Sequence, residues 1–224
     1  MNRYPKYKDS GIEWLGEIPE HWEVKPLKHI ADIVLGKMLT PEDKGGYLLK
    51  SYLRAQNITW EYVDTTDIKE MWFSKQELKQ YLIKKNDLLI SEGGEVGRTA
   101  IWNDEIDECY IQNSVHKVKI NHPSNPRYYL YHSEAYGKGG YYETQVNKVS
   151  IGHLTREKLK DIRFLFPLKD EQTAIASYLD RKTQQIDKQI ENENQSIALL
   201  QEYRTALISN AVTGKIDVRD TVNT

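Results

Sequence analysis

Apolar residues recur along this chain with two different periods, and the change of period divides it. Up to about residue 165 they come in short runs separated by turn residues. Tyr47 to Leu53, Asp87 to Ser91, Arg98 to Trp102 and Val115 to Ile120 have the length and the β-branched or aromatic content of strands. Ser74 with Glu77 three residues on predicts a capping box opening a short helix through Tyr81 and Leu82. Asn125 and Pro126 predict an N-cap and first-turn proline for a second helix, ended by Gly137. Residues 1–46 carry Gly11, Gly16, Pro19, Pro26, Gly36, Pro41, Gly45 and Gly46, too many turns for long elements. They predict an arm pinned on a core by Trp14, Leu15 and Trp22.

Beyond residue 165 the period becomes helical. No Gly or Pro occurs between Asp170 and Ser209. With heptad position a at Ala176, the a residues are Ala176, Thr183, Ile190, Ile197 and Arg204, and the d residues are Leu179, Ile186, Glu193, Leu200 and Leu207. The pattern predicts a helix of roughly 40 residues, about 60 Å long, stopped at VTGK where Gly214 takes a left-handed conformation. Such a stripe needs another helix to cover it. Leu179, Ile186, Ile190, Ile197 and Leu200 are the expected dimerisation residues, and an antiparallel self-pairing would let Glu193 meet Arg204 or Lys182. The expected fold class is therefore α+β: a mixed domain of short strands and helices over 1–165, then a long coiled-coil-type helix over 166–224.

Charge alters this picture only when taken by segment. The 31 Lys and Arg nearly balance the 33 Asp and Glu, for a net −2. Cys109 to Phe166 is nevertheless locally basic and Asp170 to Glu202 locally acidic, so the two regions should face different partners. Cys109 is the sole cysteine, which leaves no internal disulfide and fits a reducing cytoplasm. No window approaches the roughly 18 apolar residues of a membrane span, and a soluble cytoplasmic protein is expected. The 15 Tyr and 5 Trp supply apolar bodies with polar tips, suited to wet interfaces.

Known catalytic patterns are missing from the sequence. LLISEGGEVGRTAIW, residues 88–102, resembles a phosphate loop, but GGEVGRT has neither the lysine nor the helix start of a P-loop. Dinucleotide binding would need the glycines to open a long helix, and a strand follows instead. NPRY at 125–128 is only close to the NPPY of amino-directed methyltransferases, with Arg127 at the second proline. No G-x-S-x-G occurs, and the histidines and Cys109 lack metal-ligand spacing, so no catalytic residue, cofactor or metal is expected.

Three polar stretches suit nucleic acid better. GKGGYYETQVNKVS offers Lys138, Tyr141, Tyr142, Gln145, Asn147 and Lys148; LRAQNI offers Arg54, Gln56 and Asn57; IQNSVHKVK offers Gln112, Asn113, Ser114 and Lys117. Lysines neutralise phosphates, Gln and Asn pair with adenine edges, and tyrosines reach phosphates or sugars. Arg98 is a further candidate for a DNA-backbone contact, against an ion pair with Glu92 or Glu95.

YKDSGIEWLGEIPEHWEVKPLK at 7–28, YLRAQNI at 52–58, NDLLISEGGEVGRTAIW at 86–102, FPLKDEQTAIASYLDRKTQQID at 166–187 and LLQEYRTALISNAVTGKIDVR at 199–219 together resemble the specificity (S) subunit of type I restriction–modification systems. The resemblance implies a target recognition domain that reads one half of a split double-stranded DNA site. It also implies a helical region that acts as spacer and docks methyltransferase (modification) subunits, restriction subunits joining the full complex and the S subunit performing no chemistry. Two local departures are small: Phe166-Pro167-Leu168 replaces the usual Pro-Pro-Leu, and Asn86-Asp87 the usual Gly-Asp. A larger one is size, because typical members carry two recognition domains and two helical regions. The chain is expected to be a natural half-subunit or a fragment, and a half-subunit should form a homodimer. The rival expectation is a helical adaptor whose head binds protein.

Overall fold

The computed structural model describes residues 3–146 and 152–219. The chain divides into two compact units, Met1–Ala176 and Ser177–Thr224. In chain order the first unit holds β1 (Tyr7–Asp9), β2 (Glu17–Pro19), β3 (Glu23–Pro26), β4 (Ala31–Leu35), β5 (Leu48–Leu53), β6 (Lys69–Phe73), α1 (Lys75–Tyr81), β7 (Leu88–Ser91), β8 (Thr99–Ile101), β9 (Tyr110–Ile111) and β10 (Val115–Ile120). There follow α2 (Pro126–Lys138), α3 (Tyr141–Gln145), α4 (Arg156–Asp161), β11 (Arg163–Phe166) and the start of α5 (Lys169–Val212).

The central sheet runs β4-β10-β7-β8, all antiparallel, with Val118 opposite both Ile33 and Leu88. Its alternating side chains feed two separate cores. Leu88, Ile90, Ile101 and Val118 pack with Tyr129, Leu130, Leu159 and Phe164 on the helical side. Leu89, Ala100, Trp102 and Val115 pack with Leu53, Ile58 and Ile111 on the other. A strand covered on both faces reads as a continuous apolar run rather than an alternating one, which is why Leu88-Leu89-Ile90 does so. A second sheet, β6-β5-β9, encloses Tyr52, Met71, Phe73 and Tyr110.

The arm is pinned largely as expected. β1 pairs with β2, Trp22 is 9% exposed, and Leu15 packs on the helical core. Trp14 is less buried than an anchor, at 43% exposed, but meets the rings of Tyr136 and Tyr141 at 5.0 and 5.5 Å. The Glu-Gln pair opening α5 ties distant pieces together. Glu171 accepts from Trp22 Nε1 at 3.2 Å and lies 2.9 Å from His21 Nε2, while buried Gln172 accepts from Asn125 N and donates to the Pro167 carbonyl.

Helix signals translate well. Ser74 and Glu77 form the reciprocal capping box of α1, and Asn125 caps α2 with Pro126 at its first turn. α2 runs one residue past the expected stop, to Lys138, because Gly137 serves a different purpose. A Cβ at Gly137 would lie 1.9 Å from the Trp60 ring, so the glycine permits an indole to lie on the helix. Strands β3, β4, β6 and β11 and helices α3 and α4 carry no strong sequence signal; β6 is Lys-Glu-Met-Trp-Phe, polar at the end that reaches solvent.

In the second unit the helix continues from Ser177 to Val212. Gly214 has φ +70°, Lys215 N donates to Asn210 O at 2.8 Å and Gly214 N to Ala211 O at 3.2 Å, a Schellman stop as expected from VTGK. Every residue from Gln184 to Ser209 is exposed, including Ile186, Ile190, Ile197 and Leu200 at 52–66%. Ala176 belongs instead to the helical core of the first unit and Leu179 is half-buried, so the open seam begins at Ile186.

Candidate nucleic-acid interface

Two of the three polar stretches meet. After β5 the chain turns through Arg54–Asn57, and between β9 and β10 it turns through Gln112–Ser114. Ala55 N donates to Ser114 Oγ at 3.0 Å, Ser114 Oγ donates to Gln112 Oε1 at 2.6 Å, and Gln112 Nε2 donates to Asn113 Oδ1 at 2.7 Å. Gln112 N also donates to Leu53 O at 3.0 Å, fixing the second turn against the end of β5. The relay orients both half-buried carboxamides. A donor-acceptor amide held in one orientation is suited to the N7 and N6 edge of adenine.

The first turn is braced from beneath. Asn57, 2% exposed, accepts from Arg54 N at 2.9 Å and donates to the Asp64 and Asp67 carbonyls. It is a structural residue, which corrects its assignment to DNA contact: a buried carboxamide with all three bonds internal has nothing left to offer a base. Arg54 Nη2 and Gln56 Nε2 both reach Asp67 Oδ2, at 2.8 and 3.1 Å. Lys69 and then Arg54 hold the Asp67 carboxyl down at about 2. Asp67 occupies these donors in the free protein, a role no local sequence pattern marks.

The glycine loop between β7 and β8 separates the two predicted groups. Gly94 and Gly97 have φ of +73° and +81°, and Ser91 Oγ donates to Glu95 O at 2.7 Å across the reversal. Arg98 Nη2 donates to Ala55 O at 2.9 Å, and its Nε lies 3.9 Å from Glu95 Oε2. Trp60 Nε1 donates to Glu95 Oε1 at 2.7 Å. Arg98, 22% exposed, thus braces the first turn with Glu95 as its acid, the ion-pair alternative for this residue.

On the far side of the loop the third stretch is only partly displayed. Tyr142 is fully buried; its hydroxyl bonds Ser133 Oγ, which lies 2.7 Å from Thr99 Oγ1, and its ring fills the space a Cβ on Gly97 would need. It is a core residue, not a DNA contact. Tyr141 packs half-buried against Trp14 and Tyr136, Lys138 pairs with Glu134, and Gln145 donates to Thr144 Oγ1 at 3.0 Å. Asn147 and Lys148 lie outside the described residues. Lys117 donates to the Gln80 and Leu82 carbonyls, both at 2.8 Å, at the end of α1, and burial lowers its pKa. In the free protein it satisfies helix-end carbonyls.

Among the described residues no group of His, Cys, Asp and Glu is placed to hold a metal ion. Burial pushes the Cys109 thiol up to about 12, which keeps it protonated and unreactive. Among the described residues no helix is long and apolar enough to cross a membrane.

Residues 19–201 match the family described as the type I restriction modification DNA specificity domain. The chain is 26% identical over 205 residues to the putative type I restriction enzyme MjaX specificity subunit of Methanocaldococcus jannaschii, covering 85% of this chain and 47% of that protein. It is 25% identical over 213 residues to the StySPI specificity subunit of Salmonella potsdam (90% and 44%) and 26% identical over 149 residues to the EcoBI specificity subunit of Escherichia coli (66% and 31%). The chain therefore spans half or less of the length of these relatives. The fold recurs in the HsdS subunit of Thermoanaerobacter tengcongensis, with TM-score 0.57 at 18% identity over 81% of this chain and 41% of that one. It recurs also in a chain of a type I R-M system solved for its complex assembly and conformational transition, with TM-score 0.67 at 18% identity over 86% and 46%. With more than three-quarters of its residues inside that match, the chain belongs to the family of type I restriction modification DNA specificity domains.

Proposed function

We propose that the chain is the non-catalytic DNA-reading component of a type I complex, its first unit reading one half of a bipartite double-stranded site. The observation that carries this reading is the relay from Ala55 through Ser114 and Gln112 to Asn113, which joins two loops distant in sequence and presents two fixed carboxamides. Phosphate contacts would set register and the carboxamides would supply base discrimination. The assigned domains are a recognition domain over 1–165 and a spacer and docking arm over 166–224.

The helix of the second unit would pair with a second copy. In an antiparallel pair whose two-fold axis passes between Ala198 and Leu199, each a residue faces a d residue of the partner. Ile190 then meets Leu207, Ile197 meets Leu200, and Glu193 meets Arg204, each contact occurring twice. Leu199 and Tyr203, 66% and 64% exposed and four residues apart, lie off this seam. They remain for the methyltransferase subunit, which with the restriction subunit completes the complex.

The test is to sequence methylated sites in cells carrying this chain with its methyltransferase. A bipartite motif with two identical inverted halves is expected, and Asn113→Ala should relax one position in each half. A chain that binds no DNA in that complex at any salt concentration would exclude the reading in favour of a protein-binding adaptor.

A further inference from the structure

Met38 and Leu39 stand out on the surface of the first unit. They are 74% and 54% exposed, yet the residues flanking them are buried, Lys37 at 7% and Thr40 at 6%. Both flanks are anchored. Lys37 Nζ lies 2.6 Å from Glu77 Oε2 and over the rings of Tyr47 and Phe73, at 5.1 and 5.5 Å. The Thr40 carbonyl accepts from Trp72 N at 3.0 Å, and Thr40 Oγ1 donates to Met38 O at 3.2 Å. The chain cannot turn the two apolar side chains inward without withdrawing an ammonium from its carboxylate. Single apolar side chains are common on surfaces; an adjacent pair held out between two buried anchors is a fixed feature.

This tip adjoins the carboxamide turn. Lys37 N donates to Ile111 O at 3.0 Å and Asn113 N donates to Lys37 O at 2.9 Å, so Met38 directly follows the residue paired with Asn113. The close crossing needs Gly36, where a Cβ would lie 2.3 Å from the Gln112 carbonyl oxygen. Of the two acids that follow in the loop, Glu42 is exposed, and Asp43 is turned back on its own turn, accepting from Gly45 N and Tyr47 N at 2.9 and 3.1 Å.

Resting on the reading of the first unit as a DNA reader, we infer that Met38 and Leu39 form an apolar wedge that enters a base-pair step beside the bases met by Gln112 and Asn113. Met and Leu are among the side chains that serve this purpose, where the cost of unstacking one step is offset by the contact that the bent duplex then makes. Rigid anchoring suits the role, because a tip ordered beforehand loses little entropy on insertion.

The experiment uses the full chain in complex with its methyltransferase subunit. A duplex carrying the mapped site receives 2-aminopurine at successive positions other than the methylated adenine. The wild-type complex is expected to raise fluorescence several-fold at one step. The M38A/L39A variant should lose that rise and bind about 10-fold more weakly, with its salt dependence unchanged because no phosphate contact is removed. M38L should retain the rise. A wild-type complex that binds without any rise, or a double variant that keeps it, overturns the wedge. A double variant that no longer assembles with the methyltransferase makes the tip a protein contact and also overturns it. Failure of the wild-type complex to bind DNA at all would instead remove the DNA-reading proposal beneath it.

Discussion

Reversing the charge of Glu193 tests both the partner and the register of the second unit. In the antiparallel pair each Glu193 faces Arg204 of the other copy, so Glu193→Arg sets arginine against arginine at two symmetric places. The apolar seam gives the scale. Ile186, Ile190, Ile197, Leu200 and Leu207 are 45–66% exposed, so covering each contributes about 1 kcal/mol. Ten such side chains in a dimer give about 10 kcal/mol, before an association cost of about 4–15 kcal/mol. Against so narrow a margin, charges matter. A partly exposed pair contributes about 0.5–1 kcal/mol, and its reversal to repulsion costs about twice that. Two contacts give about 2–4 kcal/mol, or a dissociation constant about 30- to 1,000-fold weaker. Sedimentation velocity across a concentration series reads this directly. The E193R/R204E double variant should return to within about 10-fold of wild type. A parallel in-register pair places Glu193 against Glu193 and predicts no rescue, so a double variant as weak as the singles refutes the register. Unchanged association of E193R refutes the contact.

Three further outcomes follow from the first unit. Gly97→Ala meets both a positive φ of +81° and the Tyr142 ring at 2.2 Å, whereas Gly94→Ala meets only a φ of +73°; thermal unfolding should show a loss of about 3 kcal/mol or more for the first and about 1 kcal/mol for the second. His116, fully buried with Nε2 donating to Leu154 O at 2.6 Å, is lowered to about 4 by burial, from 6.5. Between these values the unfolded chain binds the proton and the folded chain does not, so this contribution is complete above pH 6.5 and lost as pH falls toward 4. Burial lowers His132 in the same direction, to about 3, so urea unfolding at pH 7 and pH 4 should differ by at least about 3 kcal/mol, and equal stabilities would refute it. Ser114→Ala breaks the link between the two turns; DNA affinity in the methyltransferase complex should fall by about 1–2 kcal/mol with little change in the unfolding midpoint, as gel shift and calorimetry would show.

The sequence by itself determined the features that depend on neighbouring residues. The capping box at Ser74 and Glu77, the proline start at Asn125 and Pro126 and the stop at Gly214 were all legible, because each is fixed by hydrogen bonds or steric limits within a few residues. The exposed seam of the second unit was legible for the same reason, since heptad spacing alone sets a helix face. The strand Val115–Ile120 was legible from its β-branched content, although its ladder partners are distant in sequence. Only the tertiary structure decided which polar residues are available. Asn57, Arg98, Lys117 and Tyr142 look like DNA contacts in sequence, yet each is bonded to a carbonyl or a hydroxyl brought from 7 to 43 residues away. Side-chain chemistry is written in the sequence, but whether a donor is spent inside the fold depends on partners that only chain folding brings within hydrogen-bond reach. The same is true of the exposed tip at Met38 and Leu39, where local hydrophobicity predicts burial and the anchoring of Lys37 and Thr40 holds both side chains in solvent.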